Sequence, residues 1–267
     1  MILDLYKESI EYSLKNSKEL FYLGLTLFSN FVIWMIYVLI LFNYQNIDSN
    51  LKFVSLIVPI ILTFIFNFLF LGYEYKVLQN SINNSNEVLK FNNMKEMVIN
   101  GAKMFAVRFI YFIIPAVILL ITNINYINNI SGGIIGVIGA IIAPLLAILL
   151  FFITFISLSN MAAHDNLKKA FDFKEIKEVI QKIGIVRYAL FYVGLLVIEC
   201  IIIFVLFVIV MIAAILLGTS TFEITFYVEP VWWAVLIIVN LLFSIIIALA
   251  ELFKIRGIGL IYESIEE

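Results

Sequence analysis

The chain is short of nearly everything that soluble chemistry draws on. It has one cysteine and one histidine in 267 residues, which excludes a disulfide framework, a cysteine-rich metal site and any multi-histidine metal site. Only 13% of its residues are charged, against about a quarter in soluble domains. A formal net charge of −2 argues against a nucleic-acid-binding surface. A Walker loop, a dinucleotide fingerprint and an HExxH helix are all missing. What fills the chain instead is apolar: 64% of residues are hydrophobic and the mean hydropathy is +1.10. A soluble protein of this length must still present polar surface to water, so the composition implies a polytopic, all-α membrane protein forming a single integral membrane domain.

Crossing about 30 Å of hydrocarbon takes about 20 mostly apolar residues in a helix. Six stretches qualify, at 20–42, 53–73, 104–121, 134–158, 188–217 and 231–250. The third is the weakest, because Arg108 sits one turn inside it and must snorkel to the interface. Met1 to Glu19 mixes acids and bases and lacks an apolar core of its own, unlike a cleavable signal peptide. Sixteen of the seventeen basic residues fall in the N-terminal tail, the C-terminal tail and alternate loops, leaving only Lys52 on the other side. Positive charge is retained in the cytoplasm, so both termini are expected there, with short outer loops around Tyr44, Tyr126 and Tyr227. Trp232 and Trp233 fit an aromatic belt at the outer mouth of the sixth span.

Each segment ahead of an odd-numbered span carries helical apolar spacing. Ile176, Val179, Ile180 and Ile183 form the clearest stripe, Met94, Met97 and Val98 a second, and Leu3, Tyr6 and Ile10 a looser third. Aligning Lys7-Glu8, Lys95-Glu96 and Lys177-Glu178 also matches Leu3 with Phe91 and Phe173, and Ile10 with Val98 and Ile180. The expectation is three hairpins, each preceded by a cytoplasmic amphipathic helix, at about 2–18, 89–103 and 167–184. The alternative is that these segments are only the solvated ends of long spans. Acids and bases nearly balance in them, so they give little support for selective capture of anionic lipid.

Glu199, near the middle of the fifth span, is the most informative residue. An ionisable group at that depth is expensive and should face the bundle interior. Asn30 and Asn240 fall at similar depths in the first and sixth spans, and Asn67 lies nearer the cytoplasmic side of the second. Together these four form a candidate intramembrane polar cluster that could bind a cation or pass protons. The competing reading keeps Glu199 protonated as interhelical glue. Gly132, Gly136 and Ala140 recur every fourth residue, a spacing that lets another helix approach. Pro59, Pro115 and Pro144 fall within spans two, three and four, where each can kink a helix.

Catalysis is poorly supported. His164 sits in a polar loop without an accompanying nucleophile. Cys200 lies beside Glu199 in an apolar run that disfavours the thiolate. Acids of the segment Asp165 to Glu178 alternate with lysines at helical spacing, as on a solvated face. No catalytic residue, metal or cofactor is expected.

The stretch from the second span into the third carries Gly72-Tyr73, Lys76-Val77, Leu89, Phe91, Gly101, Lys103, Tyr111 and Pro115. It resembles the DUF4013 family, multi-pass membrane proteins of archaea and some bacteria, with Lys90 in place of the family's usual proline. Met161-Ala162 and Ala170-Phe171 are similar to the same family and to the membrane domains attached to some glycerophosphodiester phosphodiesterases. This resemblance implies six spans and a prokaryotic cytoplasmic membrane, and supplies no activity. Two functions remain open: a transport or export component, or small-solute or lipid carrier, built around the polar cluster; or a scaffold that binds partner membrane proteins, or itself, through the Gly132 face and the cytoplasmic helices.

Overall fold

The apolar runs fold as long helices whose charged ends gather into one packed region. The computed structural model describes residues 2–15, 17–42, 49–127, 134–216 and 230–265. Among the described residues eight α-helices follow in order: α1 (Ile2–Lys15), α2 (Ser17–Phe42), α3 (Ser49–Ile82), α4 (Met94–Ile127), α5 (Ile134–His164), α6 (Phe173–Ile183), α7 (Ile185–Leu216) and α8 (Pro230–Glu263). A 3-10 helix, Leu167–Phe171, joins α5 to α6. Among the described residues, six helices, α2 to α5 with α7 and α8, are long and apolar enough to cross a membrane. Pro59, Pro115 and Pro144 lie inside α3, α4 and α5, which continue through them.

The helices outrun the spans read from hydropathy. A helix of 34 residues, the length of α3, α4 and α8, is about 51 Å long at 1.5 Å per residue. That exceeds the hydrocarbon thickness by roughly 20 Å. The excess lies at the end that carries both chain termini, since Arg256 of α8 pairs with Glu8 of α1 at 2.6 Å. There Tyr73, Leu78, Met97, Met104, Ile156, Met161 and Phe191 are fully enclosed. Toward the other end, large apolar side chains stand uncovered from Val54 to Ile65 on α3, Phe109 to Ile121 on α4, Ile141 to Leu149 on α5 and Leu236 to Ile247 on α8. A belt that apolar is stable against lipid and costly against water. The chain is an integral membrane protein in contact with the bilayer.

α3 and α4 pack as a close hairpin, α5 lies along α4, and α8 fits against α1, α2 and α3. The first turns of α7 are buried through Tyr188, Phe191, Tyr192 and Leu195, and Tyr188 donates to Phe152 O of α5 at 2.6 Å. Farther along, Leu206 is the only buried residue of α7 among those described. That half of the helix stands away from the bundle.

The expected short helices differ from one another. α6 is separate, with Ile176, Val179 and Ile183 buried. Asp172 caps it by accepting from the Glu175 amide, and that bond, with the Lys169 ammonium, holds the carboxyl below its ordinary value. Gly184, at φ +90, ends α6 in a conformation that favours glycine. α1 is separate too, but it buries Ser9, Tyr12 and Ser13 and leaves Leu3, Ile10 and Leu14 uncovered. The segment expected at 89–103 is not a helix of its own. Residues 94–103 open α4 without a break, because no positive-φ glycine interrupts them; the turn comes earlier, where Asn84 and Asn93 take positive φ.

Candidate functional site

Where the packed end meets the apolar belt, five charged side chains from four helices converge. Glu74 of α3 is completely enclosed, and its Oε2 accepts from Arg108 Nη2 of α4 at 2.7 Å. On α8, Glu251 and Lys254 lie one turn apart and pair at 2.6 Å. Lys254 Nζ also reaches Glu199 Oε1 of α7 at 3.0 Å. Glu251 closes the chain by lying within hydrogen-bonding range of Glu74. The result is continuous: Glu199, Lys254, Glu251, Glu74, Arg108.

Three carboxyls share two cations in this network. Glu74 Oε1 is buried and has no donor. The network therefore holds one more acid than base, with the Glu74 and Glu251 carboxyls as neighbours. Enclosure is incomplete. The Arg108, Glu199 and Glu251 side chains keep 29%, 29% and 26% of their surface. Charged groups gathered among apolar helices suit a small cation, a proton or the polar head of an amphiphile.

Of the four expected cluster members, only Glu199 belongs to this network. Asn67 donates to Thr63 O at 2.8 Å and Asn240 to Leu236 O at 3.0 Å, each on its own helix. Asn30 Oδ1 is buried without a partner. Among the described residues, no hydrogen bond joins any of the three to Glu199. An asparagine can share the carbonyl one turn back on its own helix, which removes the need for a distant partner.

Gly132 lies outside the described residues, and Gly136 outside those whose packing is described, as do Trp232 and Trp233. Tyr44 and Tyr227 lie outside the described residues, and Tyr126 outside those whose packing is described. Ala140 is exposed; its neighbour Gly139 instead meets Thr122 of α4. His164 ends α5 with Nδ1 at 3.0 Å from Asn160 O and Nε2 at 3.4 Å from Glu175. Cys200 is exposed on α7. Among the described residues, no three His, Cys, Asp or Glu side chains are grouped to hold a metal ion.

The residues singled out between spans two and three build the packed end. Backbone meets backbone where Gly72 faces Met97 and Gly101 faces Phe68. Tyr73 donates to Leu89 O at 2.9 Å and stacks on Phe91. Lys76 holds Asn92 O at 2.8 Å, and Lys103 pairs with Asp165 at 3.4 Å. Tyr111 donates to Ala170 O at 2.8 Å and stacks on Phe171.

A family model described as "Protein of unknown function (DUF4013)" matches residues 55–219, more than half of the chain. That stretch includes Glu74, Arg108 and Glu199 and excludes α8 with Glu251 and Lys254. No curated protein is matched, and no solved structure is matched.

Proposed function

The chain belongs to the DUF4013 family of unknown function, and on that premise we propose that it is a non-enzymatic carrier or transport-system component of a prokaryotic cytoplasmic membrane. The observation that carries this reading is the five-residue network, which is charged, holds one more acid than base and is only partly enclosed. Charges within membrane spans are costly unless paired, and they mark ion or substrate pathways. Glu199, at one end of the network, keeps part of its surface, and Glu74 is its fully enclosed member. Both termini lie in the cytoplasm, with α1 and α6 on the inner leaflet.

The test uses proteoliposomes containing a trapped pH-sensitive dye, challenged with an imposed pH gradient. Wild-type protein collapses the gradient faster than empty vesicles, and Glu199→Gln slows it to near the protein-free rate. Equal rates in all three would remove the carrier reading.

The second reading is a scaffold for partner membrane proteins. It is favoured by α7, whose outer half carries Ile203, Phe204, Val205 and Phe207 uncovered on successive faces. A partner membrane protein that co-purifies with the wild type and is lost on replacing Phe204 and Phe207 by alanine is what this reading requires.

A further inference from the structure

A second site lies at the corner where α1 meets α2. A groove of about 740 Å³ opens there between the start of α2 and the connection from α3 to α4. Lys15, Lys18 and Lys90 stand on its walls, all three exposed. Among the described residues, none of the three has a carboxylate within salt-bridge distance. A fourth ammonium, that of Lys76, is held against the lining residue Asn92. The only acid on the wall, Glu19, is buried, and its Oε2 already accepts from the Phe91 amide at 2.7 Å. The groove wall therefore carries three ammonium groups against one carboxylate, a net positive charge, even though the short helices as a whole are nearly neutral.

Its floor is apolar and fixed. Phe91 lies between Tyr22 and Tyr73, pinned by the Glu19 carboxylate. Val88 and Met94 stand exposed at the rim. The groove also sits at the level where the spanning part of α2 begins, since α2 is a candidate span from Ser17 onward and Phe21 and Tyr22 are its first exposed large apolar residues. Ammonium groups on both walls, with aromatic and aliphatic groups at the level of the bilayer surface, match one occupant: the anionic head of a glycerophospholipid with its glycerol and upper acyl chain laid on the apolar floor.

We propose that Lys15, Lys18 and Lys90 bind an anionic phospholipid taken from the adjoining leaflet. The site is separate from the charge network and does not depend on the carrier reading. Full-length protein in detergent is titrated with phosphatidylglycerol or with phosphatidylcholine, and bound lipid is counted by native mass spectrometry. Phosphatidylglycerol binds more tightly than phosphatidylcholine at low salt, and the preference falls about fivefold for each lysine replaced in a Lys15→Gln, Lys18→Gln, Lys90→Gln series. A control with Lys174→Gln, Lys177→Gln and Lys182→Gln, on the exposed face of α6, keeps the wild-type preference. All six side chains are exposed, so the variants retain the fold. Equal binding of the two lipids overturns the proposal, as does an equal loss in the α6 control. Displacement of phosphatidylglycerol by millimolar inorganic phosphate assigns the groove to a free anion and overturns the lipid as its occupant.

Discussion

Glu74 shows what a charge costs when water is gone. It is enclosed on all sides, and its counter-charge on the neighbouring helix is Arg108 at 2.7 Å. A buried pair gives little net stability over an apolar pair of the same volume, yet removing one partner leaves the other charge stranded. Arg108→Leu is therefore expected to destabilise the protein by about 3–5 kcal/mol. The double variant Glu74→Leu, Arg108→Leu should recover much of that loss. Thermal unfolding in one detergent, with both single variants and the double, supplies the cycle; a double variant as unstable as Arg108→Leu would mean the pair is not coupled. At this scale the sequence disclosed one member of the network and hid four. Hydropathy windows end a span at the first charge, so spans two and six stopped at Tyr73 and Ala250, each one residue before Glu74 and Glu251. Lys254 then passed for a tail residue and Arg108 for a snorkelling one. The usable signal was complementarity: one lone acid in span five required a base of similar depth elsewhere, and Arg108 was the one base inside an apolar run, while Lys254 lay one turn past another.

Between elements, the decisive contact is the α3–α4 crossing. A Cβ on Gly72 would fall on the Met97 carbonyl, and one on Gly101 on the Phe68 carbonyl. Both obstacles are backbone, which cannot swing aside as a side chain can. Each of Gly72→Ala and Gly101→Ala should force the hairpin apart, at a cost of about 1–3 kcal/mol. Because either substitution opens the same crossing, the double variant should cost less than the two added together. Gly257→Ala is the comparison, since a Cβ there meets only side-chain atoms, the Phe191 ring at 3.1 Å and the Ser9 hydroxyl at 3.3 Å, tight contacts that can give; it should change the thermal midpoint far less. Small residues four apart on one helix, such as Gly132, Gly136 and Ala140, are visible by counting along the chain. The working pair is two single glycines on different helices, and no periodicity within either helix reveals it. For α1 the apolar stripe was legible, but not its direction. In water Leu3, Ile10 and Leu14 would turn inward, whereas beside a bilayer they can face lipid while Ser9 and Ser13 pack against α8.

At the scale of the whole molecule, class and span number followed from composition, because apolar excess and helix length are additive properties that need no knowledge of packing. The placement of both termini at one end is now a matter of contact. Arg256, fully buried near the end of α8, bonds Glu8 of α1, Ser81 Oγ of α3, and Ser85 O and Asn86 of the following loop, and lies 4.7 Å from the Tyr12 ring centroid. Which side of the membrane that end faces rests on charge. It carries nearly all of the basic residues, and translocating so many would oppose the bias that sets orientation. The native cysteine permits a clean check, since Cys200→Ser on the lipid-facing stretch of α7 gives a cysteine-free background. Single cysteines at Lys7, Lys177 and Ser264 should then resist a membrane-impermeant maleimide in intact cells and react fully in inverted vesicles, all three alike. Labelling of all three in intact cells would reverse the orientation without disturbing the fold. Labelling of only one would break the Glu8–Arg256 geometry itself, because that contact requires the two termini to share a side.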